Sequence, residues 1–71
     1  MSEEVLAEMV ANVWKVVVTQ GDVVEEGDTI CILESMKMEI PVEATAAGKI
    51  ARLNVNEGGV VQEGDVIAVI E

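Results

Sequence analysis

The 71-residue sequence has no histidine, no phenylalanine and no tyrosine, and it has a single cysteine, Cys31. Without histidine, the chain cannot form a Cys/His zinc site or a Ser-His or Cys-His nucleophilic pair. A lone cysteine excludes a disulfide within the chain. No apolar run approaches the roughly 20 residues that a membrane-spanning helix needs. We treat residues 1–71 as a single small domain, because a second domain would not fit in this length.

Positive charge is also scarce, with 4 basic residues against 14 acidic ones and a net charge of −10. Such a chain repels phosphate backbones and anionic lipids, so we expect neither a nucleic-acid nor a membrane partner. The first four residues, Met1 to Glu4, are acidic where a secretory signal would be basic. We therefore predict a cytoplasmic protein.

The residues that are abundant favour strands. Fourteen valines and six isoleucines dominate the apolar fraction, and Trp14 is the only aromatic residue. β-branched side chains have few χ1 rotamers and fit the pleated surface of a sheet. The composition therefore predicts an all-β domain.

The chain is an internal repeat with an offset of 37 residues, which aligns residues 5–34 with residues 42–71. Eleven of these thirty pairs are identical, where unrelated segments would share about two or three. The most similar stretch places glycines six apart, at Gly21 and Gly27 in the first copy and Gly58 and Gly64 in the second. This spacing is typical of a turn, a short strand and another turn.

Each half is predicted to form four short strands, at Val5–Met9, Val13–Val18, Val23–Glu25 and Thr29–Leu33, then Val42–Thr45, Lys49–Val55, Val60–Gln62 and Val66–Ile70. Residues 2–9 could also begin a capped helix, but the repeat favours a strand there. Neither half can bury its apolar face alone. We therefore predict a flattened barrel or sandwich of two four-stranded antiparallel sheets with pseudo-twofold symmetry.

The connector between the two copies, residues 35–41, contains a lysine between two methionines: Met36, Lys37 and Met38. One interpretation is an ordinary hairpin tip, with the methionines dipping into the end of the barrel. The other is a functional tip, because methionine is favoured where a surface packs against a partner or a ligand ring. A lysine at a rigid turn is also well placed to enter the active site of a modifying enzyme.

The segment Glu34-Ser35-Met36-Lys37-Met38-Glu39 resembles the attachment motif of the biotinyl/lipoyl domain family, in its biotin branch. The resemblance covers nearly the whole chain, since two repeated halves around a central lysine hairpin are typical of that family. It most resembles small free-standing biotin/lipoyl attachment proteins and biotin carboxyl carrier domains. Ser35 departs from the alanine that is usual before the first methionine, and the chain lacks the extra thumb loop of some carriers.

The resemblance implies a carrier without catalytic residues of its own. Biotin would be joined by an amide bond to Lys37 by a biotin protein ligase, with Met36 and Met38 as flanking recognition residues. Glu34, Ser35 and Glu39 would form the hairpin context of the site. The attached group would carry carboxyl groups between biotin carboxylase and carboxyltransferase subunits, and no metal is implied.

The sequence leaves two alternatives open. A lipoyl carrier of a 2-oxo acid dehydrogenase or glycine-cleavage type system would share the fold, although the flanking methionines argue against it. An unmodified interaction module would also share the fold. Cys31 and Trp14 are expected to pack in the structure, with a partner contact as the second interpretation of Trp14.

Overall fold

A computed structural model of the protein describes residues 2–71 and forms two four-stranded antiparallel sheets. The eight strands, in chain order, are β1 (Glu3–Leu6), β2 (Ala11–Val16), β3 (Val23–Val24), β4 (Thr29–Ser35), β5 (Met38–Glu43), β6 (Gly48–Leu53), β7 (Val60–Val61) and β8 (Val66–Ile70). One sheet has the order β1-β8-β6-β3 and the other has the order β5-β4-β2-β7. The two open sheets form a sandwich, which confirms the predicted fold class, and they do not close into a barrel.

The two sheets are equivalent under the 37-residue repeat. Each strand of the first half has its counterpart in the other sheet, so β1 corresponds to β5, β2 to β6, β3 to β7 and β4 to β8. The irregularities in the ladders repeat as well, because the register shift between Val13 and Lys15 recurs between Ile50 and Arg52. The repeat read from the sequence is therefore a true structural pseudo-twofold.

Of the eight predicted strands only Val66–Ile70 keeps its bounds, and the start of β5 and the end of β1 move furthest. β5 was expected at Val42–Thr45 but begins four residues earlier, at Met38, because its early residues pair with the extended end of β4. The expected connector of residues 35–41 is thus reduced to two residues, Met36 and Lys37. The first strand was expected at Val5–Met9 and instead spans Glu3–Leu6, where it pairs with β8. The helical alternative for residues 2–9 is excluded.

Equivalent turns lead into β4 and β8. The Asp28 carboxylate accepts a hydrogen bond from the Glu25 backbone N–H at 2.9 Å, and the Asp65 carboxylate accepts one from Gln62 at the same distance. The glycine before each aspartate has a positive φ, 93° at Gly27 and 90° at Gly64. Because glycine adopts this conformation without a Cβ penalty, these turns explain the repeated Gly-Asp pairs.

The core lies between the two sheets and is built from matching positions of the two halves. Fully or nearly fully buried pairs related by the repeat are Val13 and Ile50, Val24 and Val61, Ile30 and Ile67, Cys31 and Ala68, and Leu33 and Ile70. Each half supplies one apolar face, so each depends on the other for burial. In the part of the chain that the structure describes, no helix is long and apolar enough to cross a membrane.

Candidate functional site

The Met-Lys pair forms the whole turn of the β4–β5 hairpin. Glu34 lies opposite Glu39, and Ser35 lies opposite Met38 as the last pair of the ladder. Only Met36 and Lys37 remain to reverse the chain. Lys37 therefore projects from the end of this sheet. The paired strands β4 and β5 fix the backbone on either side of the turn.

Both turn residues adopt left-handed backbone conformations, with φ of 53° at Met36 and 65° at Lys37. Positive φ at both central residues is the signature of a type I′ turn, which normally selects Asn-Gly or Gly-Gly. A residue with a side chain is strained in this region by about 1–2 kcal/mol. Methionine and lysine are therefore poor choices for folding alone, and such strain is typical of functional turns.

The side chains around the lysine face solvent. Met36 is 89% exposed and Met38 is 59% exposed, while Lys37 itself is exposed. The interpretation in which the methionines dip into the end of the barrel is therefore wrong. Two exposed methionines beside an exposed amine form a flexible apolar surface that can pack against a protein bound at Lys37.

The hairpin places acidic residues below the tip. Glu34 and Glu39 are directly opposite each other, Glu34 half-buried and Glu39 exposed. Like charges directly opposite in an antiparallel pair destabilise the sheet slightly. The pair gives the neck of the hairpin a negative potential that favours a cationic partner surface. All six residues of the predicted motif are thus brought together in one hairpin.

Two further residues behave differently from each other. Cys31 is completely buried in the core, as expected, and burial raises the pKa of its thiol to about 11. Trp14 was expected to pack but is 48% exposed, with the Lys15 Nζ 6.0 Å from its ring centroid. In the described residues, no group of three or more His, Cys, Asp or Glu side chains could hold a metal ion.

The positive φ values at the turn are the feature that the sequence did not reveal. Turn sequences with positive φ are usually recognised by glycine or asparagine, and neither occurs at Met36 or Lys37. The repeat could not supply this information either. The hairpin corresponds to the break between the two chain ends and has no counterpart in the other half.

Comparison with protein families identifies the chain. A profile of the biotin/lipoyl family, described as a biotin-requiring enzyme, matches residues 3–70. A biotinylated protein TB7.3 homologue of Mycobacterium leprae is 54% identical over 54 residues, 76% of each chain. The biotin/lipoyl attachment protein of Bacillus subtilis is 54% identical over 41 residues, which are 58% of this chain and 56% of that protein.

Solved structures agree with these sequence matches. The urea carboxylase of Kluyveromyces lactis has a region that covers the whole of this chain with a TM-score of 0.92 and 39% identity. A single-chain, multi-domain long-chain acyl-CoA carboxylase covers 96% of it with a TM-score of 0.88 and 29% identity. The matched regions are only 6% and 7% of those carboxylases. The sequence prediction is confirmed, and the chain belongs to the biotin/lipoyl attachment domain family, in its biotin branch.

Proposed function

We propose that this chain is a biotin carrier in which Lys37 is the attachment residue and the domain is a non-catalytic part of a biotin-dependent carboxylase. The observation that carries the proposal is the two-residue turn, which holds an exposed lysine between exposed methionines at the end of a rigid sheet. The relatives named as biotinylated proteins and the carboxylase structures support it. We place this activity in the cytoplasm.

The hairpin fits the chemistry of attachment. A biotin protein ligase would activate the biotin carboxyl group as an acyl-adenylate, and the Lys37 Nζ would attack its carbonyl carbon. An amide bond forms, AMP leaves and the amine loses a proton. Because this removes one positive charge, the net charge of the chain changes from −10 to −11.

Neutralisation of the Lys37 amine belongs to the ligase. The chain has no histidine that could act as a general base beside Lys37. The domain therefore supplies position, and the enzyme supplies the base. Once attached, biotin supplies the carboxyl-carrying chemistry.

The reach of the biotinylated arm sets the distance beyond which the domain itself would have to move. The lysine side chain and the biotin chain together span about ten bonds, on the order of 12 Å. The domain itself measures 33 × 19 × 18 Å. A biotin carboxylase site and a carboxyltransferase site separated by more than the arm's reach would require the whole domain to move between them.

The role of the methionines is tested with Met38→Leu, which keeps an apolar side chain of similar volume but removes the flexible thioether. We expect biotinylation by a biotin protein ligase to slow several-fold, while circular dichroism and the unfolding midpoint stay close to wild type. An unfolded Met38→Leu protein would contradict this account, because the exposed side chain would then be structural. A wild-type biotinylation rate would show that Met38 takes no part in recognition.

A further inference from the structure

A second exposed apolar surface lies on the sheet that carries the hairpin. Four exposed residues form it, three along β2 and its flanks and one on β7, and we call them the Trp14 patch: Val10, Trp14, Val17 and Val60. Asn12 pairs with Val60, so β2 and β7 are neighbours here. The alternation of buried and exposed residues along β2 places Trp14 on the outer face of this sheet.

The pseudo-twofold shows that the fold does not need three of the four patch residues, because only Val60 has an identical counterpart, Val23. The repeat places Ala47, Ala51 and Asn54 on the opposite sheet where the hairpin sheet has Val10, Trp14 and Val17. Trp14 and Ala51 are the extra residues of equivalent bulges, since the ladders skip from Val13 to Lys15 and from Ile50 to Arg52. The same backbone is thus built with alanine on one sheet and with a half-exposed tryptophan on the other.

Bulges often re-aim a side chain close to a functional site. Large exposed apolar residues that packing does not require are typical of protein contact surfaces, in which tryptophan is enriched. The asymmetry between the two sheets therefore indicates a binding role for the sheet that bears Lys37.

The patch is close to the hairpin. Val13, the neighbour of Trp14, lies opposite Leu33, and Leu33 is two residues before the end of β4 at Ser35. At about 3.3 Å per residue, roughly 7 Å of strand separates this level of the sheet from the start of the turn. A protein that encloses the hairpin tip closely therefore meets the Trp14 patch next.

The net charge of the chain and the length of the lysine side chain indicate which protein binds the Trp14 patch. A second copy of the chain would bring another net charge of −10 to the contact, which disfavours self-association. An enzyme that acts on attached biotin can stay distant, because the full arm extends on the order of 12 Å. A ligase acts on the bare amine, which the lysine side chain carries only about 6 Å from the backbone. The ligase must therefore approach the body of the domain.

We infer that the Trp14 patch is a docking surface for the biotin protein ligase, which covers it with an apolar surface. The inference rests on the proposed function and adds a surface outside the hairpin. The hairpin then supplies the reacting amine, and the patch supplies affinity. Loss of the patch raises KM and leaves kcat unchanged.

The test uses the double variant Trp14→Ala/Val17→Asn, which installs the residues that the other half of the fold already uses. Steady-state biotinylation is measured with purified biotin protein ligase, biotin and ATP over a range of carrier concentrations. We expect KM for the carrier to rise at least tenfold, with kcat within twofold of wild type. Trp14→Phe, which keeps an apolar ring, should stay near the wild-type KM.

The matched control is Leu6→Ala/Val23→Asn, which removes two exposed apolar side chains from the opposite sheet. We expect its KM to equal that of wild type. Circular dichroism and thermal unfolding of each variant separate a lost contact from a lost fold. A wild-type KM for the folded Trp14→Ala/Val17→Asn protein, or an equal rise in the control, overturns the inference.

Two other results also overturn it. A wild-type dimer seen by light scattering that dissociates in Trp14→Ala/Val17→Asn assigns the patch to a second copy of the chain. A wild-type carrier that the ligase does not modify at all rejects the proposed function and this inference together. Biotinylation of wild type with an unchanged variant rejects the docking surface alone, so the two failures are distinguishable.

Discussion

The backbone of Ser35 faces that of Met38 as the last pair of the β4–β5 ladder, so two residues alone reverse the chain. Because the turn is this short, both of its residues take positive φ values. The strand pairing therefore fixes the direction in which Lys37 leaves the domain. Rigid presentation of the amine follows from this register.

Glycine at the first turn position should separate stability from recognition. Met36→Gly removes a side chain from a left-handed conformation, so we expect the free energy of unfolding to rise by about 1 kcal/mol. The same change deletes an exposed methionine beside Lys37, so biotinylation should slow. Urea unfolding and ligase kinetics on the same preparation measure both effects. A destabilised Met36→Gly protein would argue against strain at this turn.

A methyl group at Gly48 should destabilise the fold. A Cβ there would lie 2.6 Å from the Glu71 backbone oxygen and 2.8 Å from the Ile70 Cγ2. We expect Gly48→Ala to lower the free energy of unfolding by about 1–3 kcal/mol, as overpacking usually does.

Gly59→Ala serves as a milder comparison for that variant. A Cβ at Gly59 would lie 3.1 Å from the Asn56 backbone oxygen, which is its nearest contact. The equivalent of Gly48 in the first half is Ala11, which already carries the methyl group and is buried. Equal stability of Gly48→Ala and wild type in urea unfolding would show that the backbone at Glu71 moves aside easily.

The Cys31 thiol should be unreactive in the folded protein. Burial raises its pKa from 9.0 to about 11, so at pH 8 the thiolate fraction is about 100-fold lower than for an ordinary cysteine. We expect iodoacetamide to alkylate the native protein at least 100-fold more slowly than the urea-unfolded chain. Comparable rates in the two states would mean that the strand around Cys31 opens readily.

The same shift predicts a pH dependence of stability. The folded state prefers the neutral thiol. The contribution of this preference to the free energy of unfolding is therefore fully present below pH 9 and is lost as pH rises toward 11. Wild type should therefore lose more stability than Cys31→Ala over this window, because alanine occupies the equivalent position 68 and has no proton to lose. If the free energy of unfolding of the two proteins fell equally with pH, the raised pKa of Cys31 would be contradicted.

The repeat made most of the fold predictable from the sequence. Matching glycines, valines and aspartates at an offset of 37 defined two equivalent halves, and equivalence required two sheets with a shared core. The boundaries of β5 were less predictable, because Met38 and Glu39 carry no strand signal of their own and become a strand only by pairing with β4.

The six residues of the hairpin motif were also identified from the sequence, since they are contiguous. The exposure of Trp14 was not, because an isolated tryptophan on an alternating strand usually packs. Its side chain lies at a bulge, and a bulge depends on the register of two strands that are far apart in sequence.

The proposed function depends on the attachment of biotin to Lys37. Intact-mass spectrometry with peptide mapping of the protein purified from its native cells tests it most directly, with Lys37→Arg expressed in the same cells as the control. We expect a single biotinyl increment on the peptide that contains Lys37 and none in Lys37→Arg. A lipoyl increment, or an unmodified Lys37 that stays unmodified with ligase, biotin and ATP, would contradict it.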